Sequence, residues 1–162
     1  MHQDRASVAA WFGRGRCLYK SKDFSEQTAA ELAEIEQCYH TTLALDPKHA
    51  STHNNLGILL KAKGDAVGAE AEYRTALVLD PKHVWAHFNL GKLLAGKSDA
   101  VGAEAEYRTV LALDPKNVTA HNNLGILLAA KGDAVGAEAE YRTALALDPK
   151  TVCAHYNLGR LL

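Results

Sequence analysis

The chain has 162 residues, 48% of them hydrophobic and 23% charged, which is enough apolar material for one folded domain and too much for a disordered segment. Eighteen basic against nineteen acidic side chains leave a net charge of -1, so no strong field draws the chain to nucleic acid or an anionic membrane. Cys17, Cys38 and Cys153 form no CxxC pair and no even framework; they read as buried free thiols in a reducing compartment, and with no secretory signal or membrane-spanning run after Met1 an intracellular, cytoplasmic protein is expected.

Residues 8–49 form a first segment of 42 residues that holds Trp11, Gly15 and Asp46-Pro47. After it the sequence repeats every 34 residues, in units 50–83, 84–117 and 118–151 and a final stretch 152–162. Asp-Pro-Lys recurs at Asp46, Asp80, Asp114 and Asp148, and Leu-Gly at Leu56-Gly57, Leu90-Gly91, Leu124-Gly125 and Leu158-Gly159. Within a unit Leu56 and Leu60, then Ala69, Tyr73 and Ala76, fall at helical spacing, which predicts two amphipathic helices. Gly64 relieves the left-handed turn between them, Asp65 caps the second helix, and Asp80-Pro81 stops it. Where its neighbours have Gly64 and Gly132, the unit 84–117 has Ser98, at a cost of about 1 kcal/mol if the left-handed turn is kept. The first segment exceeds a unit by eight residues, expected between Lys22 and Glu34 as about two extra turns at the start of its second helix.

These landmarks resemble the tetratricopeptide repeat family, whose pattern places an aromatic, Leu-Gly and a second aromatic on one helix and Ala, an aromatic, Ala and Pro on the next. The resemblance covers nearly the whole chain and implies an all-α fold, a right-handed α-solenoid of stacked antiparallel helix hairpins in a single domain, 1–162. Gly57, Gly91, Gly125 and Gly159 are the small residues at which paired helices touch, with Ala69, Ala103 and Ala137 as the facing small surface. The chain departs from the family at the first aromatic, replaced by His53, His87, His121 and His155, and at the second, replaced by Leu60, Leu94 and Leu128. These histidines are expected to pack.

By the same resemblance the first helices line a concave groove, and the function implied is a scaffold that holds a partner protein or peptide. Asn55, Asn89, Asn123 and Asn157 then form a ladder similar to the one with which superhelical members grip an extended backbone. A carboxamide offers two donors and an acceptor, so it satisfies a peptide bond without reading the neighbouring side chain. Trp85, Phe88 and Lys92 are the anchor candidates, Asn54 and Asn122 fall on the same face, and Tyr156 and Arg160 in the last helix, with Phe12, Arg16, Tyr19 and Lys20 in the first segment, repeat the aromatic-plus-basic character. No acid stands among Arg16, Lys20, Lys61, Lys92 and Arg160, so an acidic peptide is the expected partner. The final helix, 152–162, carries Leu158, Leu161 and Leu162 on a seam that needs a cover, and self-association through it is one expectation.

Catalytic signatures are missing from the sequence: there is no phosphate loop after a strand, no nucleophile elbow and no acid pair at a cleft. His49 with His53, and His83 with His87, stand four residues apart but lack the third and fourth ligands a zinc ion wants, so neither metal nor cofactor is expected. The alternative to a free-standing scaffold is a recruiting or oligomerisation segment of a larger enzyme such as a glycosyltransferase.

Overall fold

The computed structural model describes residues 2–20 and 28–162, with side chains for residues 6–17 and 28–162. Every element among the described residues is an α-helix: α1 (His2–Lys20), α2 (Ala29–Leu45), α3 (Ala50–Ala62), α4 (Ala66–Leu79), α5 (Val84–Gly96), α6 (Ala100–Leu113), α7 (Val118–Ala130), α8 (Ala134–Leu147) and α9 (Val152–Leu161). The fold is an all-α solenoid of helical hairpins, and it divides into two compact units, Met1–Ala86 and His87–Leu162, at a boundary within α5.

The helix ends follow from local chemistry. Gly64 and Gly132 adopt φ of 87° and 84°, and the amides of Asp65 and Asp133 reach back 2.9 Å to the carbonyls of Leu60 and Leu128, which closes the preceding helix in a left-handed turn. Ser98 adopts φ of 64° and the amide of Asp99 makes the same 2.9 Å bond to Leu94, so the serine accepts the strained conformation that its neighbours fill with glycine. Asp65, Asp99 and Asp133 each accept the amide three residues on, at 2.8–2.9 Å, and so begin α4, α6 and α8. In the Asp-Pro-Lys turns the aspartate does two jobs. Its amide donates to the carbonyl four residues back, as from Asp80 to Ala76 at 2.8 Å, and its carboxylate accepts the lysine amide, as from Lys82 at 3.0 Å.

In the first unit Ile35, Tyr39, Leu56 and Leu59 make a core against which Phe12, Leu32, Leu43 and Leu60 pack, so α1–α2 and α3–α4 stack through one apolar layer. Helix α2 has 17 residues against 14 in α4, and Thr28 starts it in a reciprocal cap with Glu31. The rest of the expected insertion, residues 21–27, lies outside the described residues.

In the second unit α6 to α9 pack in sequence around Leu90, Leu93, Tyr107, Val110, Leu124 and Tyr141, all nearly or fully buried. Two expectations need correcting. A Cβ on Gly57, Gly91 or Gly125 would lie 2.6–2.9 Å from the ring of Tyr73, Tyr107 or Tyr141, so the glycine makes room first for a tyrosine and only then for the alanine beside it. Of the cysteines only Cys38 is buried; Cys17 and Cys153 sit on outward helix faces. Burial pushes the Cys38 thiol up from its ordinary range.

Candidate functional site

The histidines that replace the family's first aromatic do more than fill space. His53 Nδ1 lies 2.7 Å from Glu72 Oε2 in the paired helix, and its Nε2 donates to the Pro47 carbonyl at 3.1 Å. His121 repeats this with Glu140 at 2.6 Å and Pro115 at 3.1 Å, and His87 pairs with Glu106 at 2.6 Å. His49 Nδ1 is held by the Thr52 hydroxyl at 2.7 Å, and His83 Nδ1 accepts the Ala86 amide at 3.2 Å. The paired histidines are thus each tied to their own partners, and among the described residues no three His, Cys, Asp or Glu side chains converge to hold a metal ion.

The expected groove residues fall into two layers. Asn54, Asn122 and Phe88 are buried, with 4%, 7% and 7% of their surface exposed; the Phe88 ring sits 6.1 Å from that of Tyr107. Asn55, Asn89, Asn123 and Asn157 are half-buried one position on. Asn123 is hydrogen-bonded to the Tyr107 hydroxyl, and Asn157 Nδ2 donates to Asn122 Oδ1 at 2.9 Å, so the buried and half-buried asparagines support each other in the second unit. In the first unit Asn54 Nδ2 donates to Asn55 Oδ1 at 3.2 Å. Trp85 is 61% exposed at the start of α5. The side chains of Tyr19 and Lys20 lie outside the described residues.

A second pattern links the aromatic and basic candidates. Arg16 lies over Phe12 at 5.6 Å, Lys92 over Phe88 at 5.8 Å and Arg160 over Tyr156 at 5.7 Å, each cation four residues after its ring on one helix. At the corresponding places α3 and α7 have Asn54 with Ile58 and Asn122 with Ile126. The cation is therefore exposed in each couple while its stem lies along an aromatic face.

Two cavities open beside these residues in the second unit. One, of about 340 Å³, is lined by Lys92, Ala95, Tyr107, Asn123, Ile126, Leu127 and Ala130. The other, of about 330 Å³, is lined by Ile126, Ala129, Ala130, Tyr141, Asn157, Arg160 and Leu161. Adding 34 to Ala95, Tyr107, Asn123 and Leu127 gives Ala129, Tyr141, Asn157 and Leu161, so the second cavity is the first displaced by one repeat. Ile126 stands between them, with Lys92 at one end and Arg160 at the other. Burial pushes the Tyr107 phenol up to about 12, against a smaller lowering by Asn123, so the floor of the first cavity is a neutral hydroxyl. Tyr141 is also raised by burial, partly offset by Arg160.

The two tyrosines were not among the residues expected to line the groove. Their spacing marks them as core, which they are, and only the neighbouring helix reveals that the phenol end borders the surface. The asparagine that follows by 16 residues, Asn123 after Tyr107 and Asn157 after Tyr141, is the one signal in the sequence that could have suggested it.

A family model described as tetratricopeptide repeat matches residues 36–84, 54–118 and 88–152. No curated protein matches the sequence. Among solved structures, PilF of Pseudomonas aeruginosa is similar with a TM-score of 0.86 at 18% identity, over 99% of this chain and 69% of that one. MamA is similar with a TM-score of 0.74 at 20% identity, over 82% of this chain and 77% of that one. The APC/C hetero-tetramer Cut9–Hcn1 gives a TM-score of 0.74 at 20% identity, over 82% of this chain and 27% of the matched chain.

Proposed function

The chain belongs to the tetratricopeptide repeat family, a fold that serves as a protein-interaction scaffold, and we propose that its second compact unit binds an extended acidic segment of a partner protein. Protein partnership suits the fold: one similar structure was solved as a hetero-tetramer of Cut9 with Hcn1. The observation that carries the finer reading is the pair of cavities related by one repeat, each with a tyrosine, an asparagine and apolar walls.

Two like cavities in register suit a ligand that presents two like side chains in register. Packed neighbouring helices lie about 8–10 Å apart, a distance that about three residues of extended chain span. An extended segment with apolar residues three apart would therefore seat one in each cavity, on either side of Ile126. Asn123 and Asn157 keep hydrogen-bonding capacity beyond the bonds they make here, and that capacity suits the segment's backbone. Lys92 and Arg160 then favour carboxylates at its two ends, whereas Glu104 and Glu138 on the second helices are engaged by Arg108 and Arg142. Trp85 and Asn55, in the first unit, are candidates for separate contacts there.

Fluorescence anisotropy tests this with a capped peptide of the form Asp-Leu-Ala-Ala-Leu-Glu and a version with both acids replaced by lysine. The acidic peptide should bind about tenfold more tightly, and Lys92→Glu with Arg160→Glu should reverse the order. Added salt should weaken the preference. Equal binding of both peptides, or an order unchanged by the charge reversal, would refute the reading.

A further inference from the structure

Each glycine of the repeated Leu-Gly pair seats a tyrosine ring of the helix that follows it, except one. A Cβ built on Gly57, Gly91 or Gly125 would meet the ring of Tyr73, Tyr107 or Tyr141 at 2.7, 2.9 or 2.6 Å; one built on Gly159 would meet nothing within 4 Å. The same difference holds at the histidine. His53, His87 and His121 pair with Glu72, Glu106 and Glu140, the residue just before the seated tyrosine, while His155 is exposed and keeps only the second half of the arrangement, its Nε2 bond to the Pro149 carbonyl at 2.9 Å. Tyr156 is 64% exposed where its counterparts Phe88 and Asn122 are 7% exposed. His155, Tyr156, Gly159 and Leu162 fall on one face of the helix and are all exposed, whereas Ala154, turned toward the preceding hairpin, is fully buried.

We propose that this face of α9 is a docking site for a separate amphipathic helix that carries alanine three residues before a Glu-Tyr pair, supplied by a partner chain. Three internal examples define what fits: Ala69 with Glu72-Tyr73, Ala103 with Glu106-Tyr107 and Ala137 with Glu140-Tyr141. The tyrosine covers Gly159, where a larger residue would hold the helices apart, and the alanine lets the backbones approach. The glutamate meets His155 Nδ1, a charge match already made three times within the chain. A second copy of this chain offers no such helix without unfolding, because Tyr39, Tyr73, Tyr107 and Tyr141 are each at most 3% exposed in their own seats. This surface is distinct from the two cavities, and its occupancy does not depend on the groove reading.

The probe is an acetylated peptide with the sequence of residues 133–147, which retains the Asp133 cap and the Ala137, Glu140 and Tyr141 side chains. Calorimetry should give saturable 1:1 binding to the 162-residue chain, weakened at least about tenfold when the peptide carries Tyr141→Ala and again when the chain carries Gly159→Leu. The Gly159→Leu side chain meets open space and replaces a helix-weakening glycine, so loss of binding by this variant reports the seat and not misfolding. Absence of binding, or equal binding by the Gly159→Leu chain, overturns the proposal. So does a peptide-free mass that rises with concentration in the wild type and not in Gly159→Leu, because a second copy would then occupy the face.

Discussion

His121 Nδ1 stands 2.6 Å from Glu140 Oε2 while Nε2 of the same ring stands 3.1 Å from the Pro115 carbonyl oxygen, so one imidazole joins α7 to α8 and to the turn that precedes α7. A carbonyl only accepts, so Nε2 carries a hydrogen and Nδ1 is left to the carboxylate. His53 does the same with Glu72 and Pro47. The chain has thus exchanged the aromatic packing of its family for a directed polar clasp at the same place in each hairpin.

Both partners at the clasp are largely covered, with side chains 12% and 24% exposed, so breaking it should be felt. Glu140→Leu keeps the bulk and removes the acceptor; it should destabilise the chain by about 1–2 kcal/mol, on the scale of a charge-assisted hydrogen bond. Glu140→Gln, whose amide can donate to Nδ1, should lose less than half as much. Urea denaturation of the three proteins decides this, and identical midpoints for Glu140→Leu and wild type would show that the clasp contributes nothing.

Gly125 and Gly159 occupy equivalent positions in their helices and should respond in opposite directions to alanine. At Gly125 the new methyl would sit 2.6 Å from Cε1 of Tyr141, a ring buried between helices with no room to retreat, so Gly125→Ala should cost about 1–3 kcal/mol. At Gly159 nothing lies within 4 Å, and the gain in helix propensity should stabilise by about 0.5–1 kcal/mol. Thermal melts of the two variants provide the comparison; destabilisation of equal size in both would mean that the ring seat is not what the glycine serves.

Ser98 lies at φ of 64° in the turn where Gly64 and Gly132 lie at 87° and 84°. Ser98→Gly should therefore stabilise by about 1 kcal/mol, since the left-handed region costs a residue with a Cβ about that much, and Gly132→Ser should lose a similar amount. Hydrogen exchange at Asp99, whose amide closes this turn onto Leu94, should slow in the glycine variant. An unchanged exchange rate and midpoint would place the strain elsewhere.

Much of this architecture was legible in the residues because it is written locally and repeated. Gly64, Asp65 and Asp80-Pro81 each act on the few residues beside them, and the 34-residue period aligns them all, so caps, turns and the retained left-handed Ser98 could be read directly. Relationships across helices were harder. His121 and Glu140 are 19 residues apart, and no periodicity within either helix says that they touch. Asn54 and Asn55 are adjacent and identical, yet one is 4% exposed and the other half-buried; the helix rotation that separates them is set by packing against α4, which composition does not reveal. The tyrosines beneath the cavities belong to the same class, because a core residue whose hydroxyl also borders a surface has no distinctive spacing.

Tyr107 provides a pH test of that dual position. Its phenol is raised from 10.0 to about 12 in the folded chain, chiefly by burial. Below about pH 10 the phenol keeps its proton in both folded and unfolded states, and its contribution to stability is fully present. Between about pH 10 and 12 the unfolded chain releases the proton first, which favours unfolding, so stability falls as pH rises, by about 2 kcal/mol at pH 11.5. Tyr107→Phe lacks this proton, and although it should start slightly less stable at pH 8 through loss of the bond with Asn123, its stability should decline less steeply above pH 10. Urea midpoints measured from pH 8 to 11.5 compare the two chains, with the other titrating side chains common to both. Parallel curves would mean that water reaches the Tyr107 hydroxyl in the folded state, and the floor of the first cavity would then be wet and ionisable.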